Sequence, residues 1–329
     1  MRAAKRGIKA AWAASPVWNG PARAVRPPGA LVLMYHRVAS GPSLLGGLDL
    51  ALFRRQLEWL ARHCRMIGPD DLPRAVQSGR SARPPVLLTF DDGYRCVHDL
   101  VYPVLREYGI PAVVFLATGA IDSGRPLWTD FVDLAFRETS HREARLPWSP
   151  DTPVALATPG QRSLEAARAK ARLKASPDTR RQHDVAQLAR NLGVQDTLEE
   201  LPRQMLSWDE ARAIGDLCLF AGHTHTHPIM SRVEFPRLTW EIRTCRDRIR
   251  EELGYAPRWF AYPNGTAADF DARCRSLLQE NGFRVACSTI EGFNGPDTDW
   301  MALKRLPTTA ATVGDFVWLI SGPQWRGAT

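Results

Sequence analysis

The chain has 329 residues, 44% of them hydrophobic and 24% charged, with a formal net charge of +8. That length and balance suit one large or two small globular domains with a real core, and exclude a low-complexity or fibrous chain. No stretch approaches the length of a transmembrane helix, and the six cysteines, none in a close CxxC pair, give no disulfide framework.

Residues 1–28 form a basic tail in which Arg2, Lys5, Arg6, Lys9, Arg23 and Arg26 occur without one acid. Its apolar run, Ala10–Ala14, is too short for a signal peptide and is broken by Pro16. With Ile8, Trp12 and Trp18 the tail is a candidate for weak contact with an anionic membrane surface; a poorly ordered tail is an equal expectation. The location expected on these grounds is cytoplasmic or peripheral to a membrane. No nucleic-acid partner is expected, because net charge is the only feature in its favour.

From Gly29 onward, short apolar runs alternate with helical patterns. Gly29–Val38 reads as a first core strand ending at Tyr35-His36. Asp49 caps a helix over 50–63 with Phe53, Leu57 and Leu60 on one face. A short strand near Arg65–Ile67, a short helix from Asp70 to Gln77 and a loop over 79–85 follow. Val86–Phe90 is an apolar strand that stops at Asp91-Asp92-Gly93. A helix over 96–108 and a strand over 112–117 continue a strand–helix–strand rhythm, the pattern of a parallel α/β sheet or barrel.

Residues 121–205 break that rhythm. A helix from Leu127 to Arg137, a loop over 147–159, and helices near 161–175 and 178–192 read as a helical insertion or lid. Leu164, Ala167, Leu173, Val185, Leu188 and Leu192 are its expected apolar stripes. The rhythm resumes with a capping box at Ser207-Trp208-Asp209-Glu210. Strands are then expected at 217–221, 258–262, 283–288 and 302–306, with helices at 238–253, 269–280 and 312–320.

Two of the strand ends carry chemistry. Asp91 and Asp92 are adjacent carboxylates at the carboxyl end of a buried strand, where parallel α/β folds place ligands and where two like charges need a cation nearby. The strand ending at Ala221 runs into His223-Thr224-His225-Thr226-His227. In an extended segment all three histidines face one way; in a helical turn only His223 and His227 do. Histidines at this spacing with a carboxylate from another strand suit a divalent transition metal with positions left open.

Thr89-Phe90-Asp91-Asp92-Gly93, followed by His223-Thr224-His225-Thr226-His227-Pro228, resembles the first two motifs of the polysaccharide deacetylases (carbohydrate esterase family 4, the NodB-homology domain), over about Leu31–Arg305. The resemblance implies a distorted TIM-like (β/α) barrel of seven or eight strands over residues 29–329, carrying the insertion at about 121–205. It implies a hydrolase that removes N-acetyl groups from a hexosamine-containing glycan or glycan precursor. Asp92, His223 and His227 would hold the metal, with Zn²⁺ the default and Co²⁺ or Ni²⁺ able to replace it. Asp91 would be the general base, and the Tyr94 amide an oxyanion donor. His225 is left out of the ligand set.

Two departures from the family pattern shape the remaining expectations. In Phe260-Ala261-Tyr262-Pro263-Asn264-Gly265, Ala261 stands where an arginine is usual, as in an exopolysaccharide-directed branch. Arg305 is a candidate to orient Asp91 instead. Tyr262 and Pro263, with Tyr94 and Arg305, are the candidate substrate-side residues; a structural turn is the alternative for Tyr262-Pro263. The chain also has no histidine after His227, where the family often carries a general acid. His36 is the candidate substitute, as acid or substrate-binding group, because a closed barrel brings the first strand beside the last; a hydrogen-bonded histidine that only supports the metal site is the alternative. Trp128 and Trp300 are candidates to stack on a sugar, against the commoner role of buried tryptophans. Rival expectations are an O-acetyl esterase, a hydrolase of non-sugar amides, and a non-catalytic glycan-binding protein.

Overall fold

The computed structural model describes residues 28–195 and 201–321; the basic tail, with Ile8, Trp12 and Trp18, lies outside the described residues. The first strand, β1 (Leu31–Tyr35), leads through a small parallel pair, β2 (Val38–Ala39) and β3 (Leu48–Asp49), into helix α1 (Leu50–His63). Asp49 caps α1 as its sequence position predicts, its carboxylate accepting from the Leu52 amide at 2.9 Å. Strand β4 (Arg65–Met66) and helix α2 (Leu72–Val76) precede β5 (Pro85–Phe90). The expected helix over 96–108 begins with a π turn at Val97–Val101 and becomes α-helical only at α3 (Tyr102–Tyr108). Pro103 has no amide to donate, so the wider turn forms just ahead of it.

Strand β6 (Ala112–Leu116) and helix α4 (Thr118–Ser123) lead into the insertion. It comprises α5 (Trp128–Glu138), the antiparallel hairpin of β7 (Glu143–Leu146) and β8 (Ser149–Ala155), α6 (Pro159–Ala175) and α7 (Asp178–Asn191). The hairpin corrects the expected loop over 147–159. Pro150 and Pro153 argue against a central strand, but in a two-stranded ribbon one edge of each strand needs no partner, so the missing amides are tolerated. The apolar stripe of α6 also differs from expectation. Leu164 is 51% exposed and Ala167 is exposed, whereas Ala166, Ala169 and Leu173 are buried. Small alanines at that spacing let α6 lie close against α5, so the longer leucine is turned outward. The insertion has its own apolar cluster, which includes Val132, Phe136, Leu146, Leu156, Leu173 and Leu188.

The barrel resumes with α8 (Trp208–Ala213), β9 (Cys218–Gly222), α9 (Phe235–Leu253), β10 (Trp259–Ala261), α10 (Ala272–Glu280), β11 (Val285–Cys287), β12 (Leu306–Pro307) and α11 (Val313–Ser321). Ser207 and Glu210 form the expected capping box. Seven parallel strands run in the order β11-β10-β9-β6-β5-β1-β12, with β4 paired to the start of β5. A parallel bridge from Cys287 to Leu303 ties β11 to the segment that becomes β12, and β12 pairs with β1. The two ends of the sheet are thereby drawn together into a distorted barrel. Among the described residues, no helix is long and apolar enough to cross a membrane.

Period-two alternation divides the core and fixes where the site falls. Val32, Leu87, Val113, Phe115, Ala221 and Ala261 belong to one cluster, enclosed by the curled sheet. Leu31, Leu33, Leu88, Phe90, Val114 and Phe220 belong to another, packed under the helices. Each fully buried aliphatic or aromatic side chain contributes ~1.5–3 kcal/mol. By the same alternation Thr89 and Asp91 share the inward face with Leu87, so Asp91 enters the top of the barrel. The cysteines are free, and all but Cys96 are buried.

Candidate active site

After Phe90 the backbone turns sharply: Asp92 has φ of 77° and Gly93 a φ of 82°. Left-handed backbone is tolerated by Asp and natural for Gly, and here it sends two adjacent carboxylates to different partners. A Cβ on Gly93 would be strained at that φ and would push on the ends of the Leu116 and Ile121 side chains, 2.8 and 2.9 Å away, so glycine is favoured there.

Asp91 meets Arg305. The guanidinium donates from Nη1 to Oδ1 at 2.6 Å and from Nη2 to Oδ2 at 2.7 Å. Its Nε donates to the Ser288 carbonyl, and Nη1 also reaches Thr89 Oγ1. Arg305 is fully buried. Burial pushes the Asp91 carboxyl up, but the Arg305 guanidinium overrides that and holds it below the usual carboxylate range. Asp91 is therefore an anion with a fixed orientation. Arg305 does not line the cavity, which corrects its grouping with the substrate-side residues and leaves it beside the carboxylate.

Asp92 meets the histidines. Its Oδ1 lies 3.3 Å from Nε2 of His223 and 3.3 Å from Nε2 of His227. The loop is neither of the two simple geometries considered for it: Thr224 and His227 both take positive φ, 62° and 57°. Thr224 Oγ1 accepts from the His227 amide at 3.1 Å. Glu241 of α9, fully buried, accepts from the amides of His225 and Thr226 and from the Thr226 hydroxyl. Local sequence gave no sign of Glu241 beyond the acidic and basic character of its helix. His225 points away, its Nδ1 2.9 Å from Thr118 Oγ1 and its ring edge-on to Trp240.

The donor set fits a divalent cation. His223 Nδ1 donates to the Ala261 carbonyl at 2.7 Å, which leaves its Nε2 lone pair facing Asp92. The small residue in the third motif thus orients a histidine through its backbone. His227 Nδ1 is buried with no partner among the described residues, so no neighbour opposes the same tautomer there. Two N/O ligands each ~2.0–2.1 Å from one tetrahedral zinc stand ~3.3 Å apart. Three acceptor atoms clustered in this way repel one another unless a proton or a cation lies among them.

The cavity over these residues encloses about 490 Å³. His36 lines it, half exposed, with Nε2 3.9 Å from Asp91 Oδ2. Tyr94 also lines it, but through a buried phenol that donates to Asp130 Oδ2 at 2.7 Å. Arg37 donates to both the Tyr94 oxygen and Asp130 Oδ1, at 3.1 and 2.5 Å. Burial and the nearby Asp92 push the Tyr94 phenol up, so it stays neutral. The Tyr94 amide has no acceptor among the described residues. Tyr262 and Pro263 are buried and do not line the cavity. Tyr262 donates to the Met301 carbonyl at 2.9 Å and stacks on Phe270, which corrects its substrate-side assignment to the structural-turn alternative. Trp128 lines the cavity, with Nε1 donating to the His227 carbonyl, whereas Trp300 packs at the barrel interior cluster.

Several lining residues escaped sequence reasoning. Arg37, Asp130, Asp133, Lys170, Lys174, Asn264 and Thr266 come from the first loop, the insertion and the third motif. The signal available for Asn264 was its place in the Pro-Asn-Gly turn; the insertion residues carried none.

Comparison with known proteins agrees with this geometry. Residues 78–286 match the family model described as polysaccharide deacetylase. A poly-beta-1,6-N-acetyl-D-glucosamine N-deacetylase of Staphylococcus epidermidis is 29% identical over 109 residues, 29% of this chain and 38% of that protein. The chain spans about a third of the length of the curated relatives it matches. Among solved structures, the Streptococcus pyogenes deacetylase PplD in complex with acetate superposes with a TM-score of 0.57 at 15% identity, over 89% of this chain and 99% of that one. IcaB from Ammonifex degensii superposes with a TM-score of 0.57 at 19% identity, over 90% and 98%. At these identities the likeness shows a shared fold.

Proposed function

We propose that this chain, which belongs to the polysaccharide deacetylase family, is a metal-dependent hydrolase that removes N-acetyl groups from a glycan containing N-acetylhexosamine. The observation that carries the reading is the splitting of one Asp-Asp pair. Asp92 faces two histidine nitrogens while Asp91, next to it, is held anionic by a buried arginine. That division separates a ligand from a base.

Asp92, His223 and His227 would hold the cation, and their mixed nitrogen and oxygen set suits Zn²⁺, with Co²⁺ or Ni²⁺ as substitutes. Bound there, a divalent cation supplies Lewis-acid chemistry: it polarises the amide carbonyl and makes water a better nucleophile near neutral pH. Asp91 accepts the proton as the water oxygen bonds to the acetyl carbon. The unengaged Tyr94 amide donates to the developing oxyanion. The carbon–nitrogen bond then breaks, the sugar nitrogen takes a proton, and acetate leaves. His36, at the rim and 3.9 Å from Asp91, is the group we assign to protonating that nitrogen. The Arg37–Asp130–Tyr94 bonds hold the wall behind these groups rigid.

Oligomers of N-acetylglucosamine are the first substrate class to test. Acetate release is expected from the metal-loaded chain, abolished by a chelator and restored by Zn²⁺, Co²⁺ or Ni²⁺. Full activity in a chelator would remove the metal from the reading, and release only from O-acetylated sugars would replace the amidase by an esterase. For the acid, His36→Ala is expected to lower kcat ~10²-fold on N-acetyl substrates. Turnover equal to wild type would take His36 out of the proton path.

A further inference from the structure

The lysines that the insertion lends to the catalytic cavity have no part in the hydrolysis described above. Lys170 and Lys174 lie four residues apart on α6 and so project from one face of it. Both line the cavity that holds Asp91, Asp92, His223 and His227. Lys170 donates to Asp133 Oδ2 at 2.6 Å, and so has a counter-charge on α5. Lys174 does not: its Nζ donates to the side-chain oxygen of Asn264, at 2.5 Å.

The other charges of the cavity are already matched. Asp91 pairs with Arg305, Asp130 with Arg37, and Asp133 with Lys170. Asp92 faces the two histidines. Among the described residues that line the cavity, Lys174 is thus the cation whose hydrogen-bond partner is neutral. Nor can Asn264 turn a different face to it. Its Nδ2 donates to Asp269 Oδ2 at 2.6 Å, and Asp269 in turn accepts from the Thr266 amide, so the amide oxygen of Asn264 is committed to Lys174. Burial, with the neighbouring Lys170, pushes the Lys174 ammonium below the usual lysine range. Asp269, Asp92 and Asp133 attract the ammonium from further off, but none of them bonds it. A half-desolvated ammonium with N–H donors to spare and no carboxylate in hydrogen-bonding reach is a site that an incoming anion completes.

We propose that Lys174 is a specificity residue that receives an anionic substituent of the glycan, so that the preferred substrate carries a carboxylate on or beside the N-acetylated sugar. The inference rests on the deacetylase reading for its substrate class. The insertion then has a function: it brings a counter-charge for an acidic polymer to a barrel whose own residues treat only the acetamido group.

The test uses the full, metal-reconstituted chain and a hexasaccharide of alternating N-acetylglucosamine and glucuronate. Its neutral control is the same hexasaccharide with each carboxylate reduced to an alcohol. Wild type is expected to bind and turn over the acidic oligomer on the order of tenfold better, the worth of one charge-assisted hydrogen bond. Lys174→Gln keeps an N–H for Asn264 but removes the charge, and is expected to abolish the difference between the two oligomers. Lys174→Arg is expected to preserve it. Equal affinity of wild type for the two oligomers overturns the proposal, and so does a preference that survives in Lys174→Gln. Binding is measured by calorimetry as well as by acetate release. If neither these oligomers nor those of N-acetylglucosamine alone are deacetylated, the deacetylase reading fails, and the ratio of dissociation constants still decides the role of Lys174.

Discussion

Asp91→Asn is expected to lower acetate release ~10²–10⁴-fold, the usual contribution of a positioned general base. The amide keeps the volume of the carboxylate and one acceptor for Arg305 but cannot take a proton. Metal content should not change, because Asp92, His223 and His227 are untouched and Asp91 bonds Arg305 and not the histidines. Measuring the bound divalent ion alongside kcat therefore separates loss of the base from loss of the site. Some stability should also be lost, since Asp91→Asn leaves the fully buried Arg305 without its counter-charge. A variant that turned over within about threefold of wild type would remove Asp91 from the base role.

Arg305→Met should be the most damaging change to the fold, at ~3–5 kcal/mol, because it strands a buried carboxylate. Thermal or denaturant unfolding checks this. The pH dependence carries a second signature. In the native protein Asp91 titrates below the usual carboxylate range. A depressed carboxylate stabilises the fold at pH above its unfolded value, and that contribution is lost as pH falls through the folded value. Without Arg305, burial is opposed only by the weaker attraction of His36 and His223, and the carboxyl moves up from its native range. The acid limb of kcat/KM should then move to higher pH, and the folded state should no longer gain stability as pH rises across the carboxylate range. An unmoved acid limb would mean that Arg305 holds only the fold. Arg305→Lys should rescue part of the charge effect and little of the geometry, since lysine cannot offer the two parallel donors.

The expected strand starts and helix caps recur in the fold because their causes are local. Val86 to Phe90 is apolar without a break, and Asp49 and Ser207 are good caps ahead of amphipathic runs. The hairpin at 143–155 was illegible because its prolines are acceptable only where a strand has a free edge, which is a property of the assembled ribbon. Tyr262 takes the structural alternative for a similar reason. An aromatic in a sequence motif carries no sign of which way it faces, and the packing of Phe270 and the Met301 carbonyl draws it into the core.

What the sequence by itself determined was the chemistry available: two carboxylates ending a buried strand, and histidines ending another. Those features are written in consecutive residues, and strand ends in a parallel sheet lie on one side by construction. Only the tertiary structure decided how the chemistry is divided. The split between Asp91 and Asp92 depends on a left-handed turn and on an arginine 214 positions later in the chain. The shape of the histidine loop depends on a buried Glu241 from the following helix. The neutral hydrogen-bond partner of Lys174 depends on an insertion folding back over the barrel mouth. Each is a choice of partner across space, and residue type alone names the groups that can pair without saying which of them will meet.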